Sequence, residues 1–286
     1  MSKSPYSLLM PDARTTSVVF SSPHSGREYP WAFLRKSVLD EHAVRSSEDA
    51  FVDLLFSDAP SMGAPLLSAC LPRAYVDLNR SPDELDPALI EGVKKSSHNP
   101  RVSSGLGVIP RVVANGRAIQ SGKMGLSEAQ ARLDEHWHPY HSKLQELLDE
   151  SRDTFGEAIL IDCHSMPHEA IDGITRSGQP RPEVVLGDRF GAAAHGDIME
   201  RLEAAFVKAG LKVARNAPFA GAYITQHYGR PSKSQHAVQI EIDRSLYMNE
   251  QMVRPNGNFQ NFRRVIASVI AEIVAIGRDE LPMAAE

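Results

Sequence analysis

Three β-branched runs in this chain end in residues that could hold a metal ion or work beside one. Val18-Val-Phe-Ser-Ser22 runs into Pro23-His24-Ser25-Gly26, and Ile159-Leu-Ile-Asp-Cys163 runs into His164-Ser165. Val238-Gln-Ile-Glu-Ile242 runs into Asp243-Arg244. In open α/β sheets, ligands bind beyond the carboxyl ends of the strands, so these turns can converge on one crevice. Two neutral imidazoles and a carboxylate with a fourth position open are the ligand set of a catalytic zinc site. Glu48-Asp49 is the nearest acidic pair after His24 and offers the third ligand, Asp49 or Glu48. Asp162, two residues before His164, is placed to orient that histidine from behind. The same donor set suits Fe(II), Co or Mn.

Each of these residues also has a plainer reading. With 11 histidines in the chain, two at strand ends are equally readable as loop residues that bond a carbonyl. His168-Glu169 lacks the second histidine of an H-E-x-x-H helix. Glu48 and Asp49 also suit the positive end of a helix starting there. Glu241 is the sharper observation. Val238, Ile240 and Ile242 alternate with Gln239, Glu241 and Asp243, so the acid lies on the face opposite the aliphatic set. A carboxylate inside a buried strand needs a cationic partner or a task. The two readings are a structural ion pair and a general base acting on water beside a metal.

Arginines gather at comparable turns. Asp77-Leu-Asn79-Arg80 closes another strand-like run, and Arg111 and Arg244 occupy similar places. Guanidinium forks bind carboxylates bidentately, so such a set suits a small dianion; surface salt bridges are the alternative. Serine chemistry has little support, because no G-x-S-x-G elbow occurs. Gly105-Leu-Gly107 lacks the third glycine of a dinucleotide loop, and Gly122-Lys123 is followed by Met124 instead of Ser or Thr.

The elements that must position these residues alternate between short strands and longer helices. Strands are expected at 17–21, 65–69, 73–78, 158–162, 183–187, 211–215 and 237–242. Helices are expected at about 48–56, 127–152, 192–209 and 261–277, with Ser127 and Gln130 as a capping box and Gly210 as a stop. This pattern predicts an α/β fold, a three-layer αβα arrangement with a mostly parallel, mixed sheet flanked by helices. The segment from Asn79 to Ser121 has no period and is rich in loop residues; so long a loop in a compact domain is more often functional than idle. No repeat or linker divides the chain, so one domain over 1–286 is expected, with its core at about 17–248.

Composition narrows the partners. The formal charge is -5, with 36 acidic against 31 basic residues, which argues against sequence-independent nucleic-acid binding. The most apolar stretch, Val265 to Ile276, is short for a membrane span and interrupted by Glu272. The N-terminus has polar residues and Pro5 where a secretory signal needs an apolar run. Cys70 and Cys163 make no disulfide framework. The chain therefore reads as a soluble, cytoplasmic protein.

Together these segments resemble the N-formylglutamate amidohydrolase family. The resemblance is carried by Ser22-Pro-His-Ser-Gly26, Glu48-Asp-Ala-Phe-Val-Asp53, Pro72-Arg-Ala-Tyr-Val-Asp-Leu-Asn-Arg80 and Glu84-Leu-Asp-Pro87. It continues through Gly105-Leu-Gly-Val-Ile-Pro-Arg111, His138-Pro-Tyr-His141, Leu160-Ile-Asp-Cys-His-Ser-Met-Pro167 and Val185-Leu-Gly-Asp-Arg189. Phe219-Ala-Gly-Ala-Tyr223, Tyr228-Gly-Arg-Pro231 and Gln239-Ile-Glu-Ile-Asp-Arg-Ser-Leu-Tyr-Met248 complete it. The resemblance implies a zinc exopeptidase-like, phosphorylase/hydrolase-like fold, similar to zinc carboxypeptidases, with one zinc and one catalytic glutamate. It implies His24, Asp49 and His164 as ligands, with Glu48 as the alternative acid, and Glu241 and Arg80 as catalytic. Asn79, Arg80, Arg111, Tyr223 and Arg244 would bind the substrate. Ala222 stands where the family often has a second glycine, which narrows the pocket near Tyr223. The implied reaction is cleavage of N-formyl-L-glutamate to formate and L-glutamate, in histidine degradation. The rivals are an amidohydrolase for another N-acyl amino acid and a non-catalytic module that binds acidic metabolites.

Overall fold

The computed structural model describes residues 4–94, 99–172 and 181–278. Seven strands form one sheet: β1 (Tyr6–Leu9), β2 (Val18–Ser22), β3 (Leu66–Ala69), β4 (Ala158–Met166), β5 (Val184–Gly187), β6 (Val213–Arg215) and β7 (Gln235–Asp243). Their order across the sheet is β1-β3-β2-β4-β7-β5-β6. The pairs β3/β2, β2/β4, β4/β7 and β5/β6 are parallel, whereas β1/β3 and β5/β7 are antiparallel. The sheet is mixed and mostly parallel, as the alternation of elements predicts.

β4 and β7 are buried along their whole length, the state of central strands covered on both faces. Side chains alternate between those faces. Ile159, Ile161 and Cys163, with Val238, Ile240 and Ile242, pack into one cluster with Leu202, Phe206, Ile266 and Ile270. The last four come from two helices, Gly196–Lys208 and Phe259–Ile276. Leu160 and Ala237 belong to the opposite cluster, under Tyr140, Leu144, Leu147 and Leu148 of the helix His138–Phe155. Asp162, His164, Gln239 and Glu241 follow the second phase. They therefore occupy the face covered by the His138–Phe155 helix, beyond the apolar contacts of Leu160 and Ala237. That division of one sheet face, apolar near the strand starts and polar near the ends, creates the site.

Several expected elements differ. Residues 73–78 are turns, because the Asp77 N–H donates to the Val108 carbonyl (2.8 Å) and the Tyr75 N–H to Pro72 (2.9 Å), so neither enters a ladder. The expected 48–56 helix is one turn, Val52–Leu55. Phe51 sits in left-handed backbone (φ 67°), which excludes continuous helix through Asp49 and Ala50. The 127–152 helix is two segments, Leu126–Arg132 and His138–Phe155, joined by a π-helical turn at Leu133–Trp137. Its N-cap is Gly125 without a side-chain cap, so the Ser127/Gln130 capping box does not form. β1 and a small hairpin, Met248–Asn249 with Arg254–Pro255, lie outside the expected strands. Among the described residues, no helix is long and apolar enough to cross a membrane.

Candidate metal centre and its cavity

His24 and Asp49 are fastened together before any side chain is considered: the Asp49 N–H donates to the His24 carbonyl at 3.0 Å. The strained turn at Phe51 then redirects the chain into its helical turn, leaving the Asp49 carboxylate beneath the ends of β2 and β4. His164 comes from β4, in register with Glu241 on β7, and Asp162 is likewise in register with Gln239. Potential ligand atoms of His24, Asp49 and His164 all lie within 4.8 Å of one another, and all three residues are buried. The two rings meet edge to face, with centroids 4.7 Å apart.

The hydrogen bonds behind the rings define what the centre lacks. His24 Nε2 is 2.7 Å from Asp77 Oδ1. Asp77 is held well below the ordinary carboxylate range: burial opposes this, but Arg73 and His24 outweigh it. An ionised carboxylate only accepts, so His24 donates from Nε2, which leaves Nδ1 as the ring nitrogen available to a metal ion. That Nδ1 is buried, has no hydrogen-bond partner, and lies 3.4 Å from Asp49 Oδ2. His164 Nδ1 is 2.8 Å from the same oxygen, and its Nε2 is 3.0 Å from Asp162 Oδ2. Burial alone would lower the His164 pKa, yet Asp162 and Asp49 on its two nitrogens raise it well above the ordinary value. In the protein alone, a proton thus supplies the positive charge that this group of side chains demands. An orphaned buried ring nitrogen, a carboxylate and a second imidazole fit a divalent cation.

Glu48 points elsewhere, accepting from Tyr29 Oη (2.6 Å) and from both sides of the Arg45 fork (2.9 and 3.0 Å). Arg244 is buried and donates to Asp49 Oδ1 (2.9 Å) and Ser165 Oγ (3.2 Å), so it backs the acidic ligand. Asn79 is engaged on both sides: its Oδ1 accepts from the Ile224 N–H (2.7 Å), and its Nδ2 donates to Asp162 Oδ2 (3.5 Å), the oxygen that also faces His164 Nε2. Arg111 Nε donates to Asp86 (2.9 Å), and the residue does not line the cavity at the centre. Tyr223 also lies outside that lining, stacked on His227.

The cavity at the centre, about 180 Å³, is lined by His24, His164, Arg80, Arg73, Gln239 and Glu241, among others. Arg80 is mostly buried, and its Nε has no hydrogen-bond partner. Its backbone is fixed from the helical layer: Trp137 Nε1 donates to the Arg80 carbonyl (3.0 Å), and His141 Nε2 lies 2.9 Å from the Leu78 carbonyl. Burial pushes the His141 pKa down to about 3, so the ring is neutral and its Nδ1 accepts from Tyr228 Oη. His141 therefore positions the 78–80 segment, while His138 is exposed.

Glu241 Oε1 accepts from Gln239 Nε2 at 2.7 Å, and Gln239 Oε1 in turn accepts from the Ala222 N–H at 3.0 Å. Among the described residues, no arginine or lysine lies within ion-pair distance of Glu241, so the structural ion pair is absent there. Burial raises its carboxyl to about 7, with His164 opposing and Asp49 reinforcing the rise. Sequence reasoning gave no role to Arg73, Asp77 or Gln239. Arg73 and Asp77 form an i,i+4 ion pair (2.9 Å), a spacing hidden by the expectation of a strand.

Fold and site together define an α/β protein with a His–Asp–His group fitted to a divalent cation and a buried carboxylate beside it. A family model for N-formylglutamate amidohydrolase matches residues 16–248. The chain belongs to the N-formylglutamate amidohydrolase family. It is 32% identical over 240 residues to an N-formylglutamate deformylase of Pseudomonas putida, covering 82% of each chain. It is 30% identical over 272 residues to the enzyme of that name from Pseudomonas aeruginosa PAO1, covering 92% of this chain and 94% of the relative. The solved N-formylglutamate amidohydrolase of Ralstonia eutropha JMP134 superposes with a TM-score of 0.90 at 32% identity, over 96% of this chain and 99% of that one.

Two predictions follow from this geometry. Asp49→Asn should lose bound metal, whereas Glu48→Gln should retain it; Asp77→Asn should weaken metal affinity by roughly 10- to 100-fold through His24. Metal analysis after dialysis against graded chelator reads all three, and metal loss confined to Glu48→Gln would exchange the two acids. The second concerns Glu241 in metal-free protein. Its folded carboxyl titrates near 7 against an ordinary 4.5, so the folded state holds the proton more tightly than the unfolded chain. The stability this contributes is fully present below 4.5 and is lost as pH rises through 7. Chelator-treated Glu241→Gln should therefore melt above the parent at pH 8, with the gap closing toward pH 4.5. A lower melting temperature at pH 8 would mark a stabilising ion pair instead.

Proposed function

We propose that this protein hydrolyses N-formyl-L-glutamate to formate and L-glutamate, a step in histidine degradation, with zinc held by His24, Asp49 and His164. The chain would act as one domain. The observation that carries the reading is Glu241: a buried carboxylate in register with His164, on the same sheet face, steadied by an amide and, among the described residues, with no arginine or lysine at ion-pair distance. Membership of the family and the names of the 30–32% identical relatives support the substrate. A non-catalytic anion binder would have no use for a second uncompensated acid.

When bound, the ion supplies Lewis-acid chemistry, polarising the amide carbonyl and acidifying a water near neutral pH. The side chains do the rest. Glu241 keeps Oε1 on Gln239 and leaves Oε2 to take the proton of the attacking water; it then returns that proton to the departing amine. A base whose pKa lies near the working pH suits both directions of transfer. Arg80, with an unpaired Nε in the wall of the cavity, faces the substrate and is the group placed to hold a carboxylate or developing oxyanion. Arg244 acts through Asp49, and Asn79 acts through Asp162, the carboxylate behind His164, so both position ligands. Arg111 is bonded to Asp86, away from the cavity, whereas Tyr223 lines the larger chamber that adjoins it at Arg80.

Glu241→Gln keeps shape and metal but cannot accept a proton, so kcat for formate release should fall by roughly 10²–10⁴ with KM little changed. A metal-loaded Glu241→Gln enzyme with full turnover would remove the mechanism. An assay for the free amino acid, run on N-acetyl and N-formyl derivatives of other amino acids, separates this substrate from its rivals.

A further inference from the structure

The metal-ligand cavity opens toward a larger chamber of about 800 Å³. The two share Arg80, Arg101, Gly221 and Ala222 as walls. Arg189 and Arg230 also line it, and Glu84 is the one carboxylate among its described lining residues. Glu84 is partly engaged, accepting from the Ser81 N–H through Oε1. Four guanidiniums thus face a space with one acid. Arg230 spends only its Nε, on the His227 carbonyl (3.1 Å), and Arg80 is more than nine-tenths buried with an orphaned Nε. Arg189 is half-buried, while Arg101 and Arg230 reach the chamber from exposed positions; among the described lining residues the guanidiniums outnumber the single acid, so the chamber favours an anion.

A second chamber, about 430 Å³, touches the centre from the other side at Asp49 and Glu241, and it differs in character. Its arginines, Arg73 and Arg244, are already committed to Asp77 and Asp49. Much of the rest of its wall is apolar, including Leu106, Val112, Val113 and Phe219. A carboxylate placed there would be desolvated without a free fork to meet it.

We propose that Arg101, Arg189 and Arg230 form a specificity pocket that reads the side-chain carboxylate of the substrate's amino acid, while Arg80 stands at the passage to the metal centre. This rests on the reading of the protein as an N-acyl amino-acid hydrolase and assigns its preference for an acidic residue to three arginines outside the metal cluster. Preference for glutamate over glutamine then comes from charge, because the two side chains have the same length and shape. Aspartate derivatives, one methylene shorter, reach the forks less well.

The test compares kcat/KM for N-formyl-L-glutamate with that for N-formyl-L-glutamine in Arg101→Gln, Arg189→Gln and Arg230→Gln. Loss of charge-assisted hydrogen bonds should lower the acid-over-amide ratio by roughly 10- to 100-fold in at least two of the three, with bound metal unchanged. Calorimetric binding of L-glutamate and L-glutamine, which needs no turnover, runs in parallel and should show the same collapse of selectivity. Unchanged ratios in all three variants, or equal losses on both substrates, overturn the pocket. If the parent protein releases no formate, the hydrolase reading fails separately; glutamate-selective binding that depends on these arginines would still uphold the pocket.

Discussion

One carboxylate oxygen facing two imidazole nitrogens, all withdrawn from water, leaves the end of the sheet short of a positive charge. Asp49 Oδ2 is that oxygen, and the two Nδ1 atoms of His24 and His164 converge on it. Alone, the protein meets the need with a proton on His164; a divalent cation would meet it with all three side chains at once. The surroundings follow from this constraint. Asp77 and Asp162 aim the rings from behind, Arg244 fixes the other oxygen of Asp49, and the Asp49 N–H ties the two chain segments together. Removing any of these groups strands charge in a poorly solvated space, where compensation is costly to lose.

The sheet makes that space available by treating its two faces differently. Beneath the helices Gly196–Lys208 and Phe259–Ile276 the face is apolar from Ile159 to Cys163 on β4 and from Val238 to Ile242 on β7. On the opposite face the apolar contacts end at Leu160 and Ala237, and polar side chains take over within two residues. The π-helical turn and the start of the His138–Phe155 helix stabilise this boundary, through Trp137 on Arg80 and His141 on Leu78. Glu241 lies just past the boundary. It is deep enough for burial to raise its pKa to about 7, yet close enough to the cavity to exchange a proton.

Much of this was legible in the residues themselves. Alternation along 238–242 placed Glu241 on its correct face, and the strand-end positions of His24 and His164 anticipated their convergence. What pattern could not show was how turns consume hydrogen bonds. Residues 73–78 alternate like a strand, but Asp77 is drawn to Val108 and to His24, so Arg73 and Asp77 become supports of the centre. Glu48 and Asp49 are adjacent acids whose fates diverge because one meets Arg45 and Tyr29 while the other is locked to His24. Asn79 and Arg111 looked free as sequence; long-range partners at Ile224 and Asp86 occupy them. The arginine chamber joins residues 80, 101, 189 and 230, a separation that no local pattern reports.

The most direct test of the account is a zinc titration of chelator-treated protein while formate release from N-formyl-L-glutamate is followed. Activity should be absent at the start, rise in proportion to added zinc, and level off at one ion per chain, with His24→Ala failing to recover under the same additions. Full turnover in the metal-free protein, or recovery in His24→Ala equal to that of the parent, would contradict it.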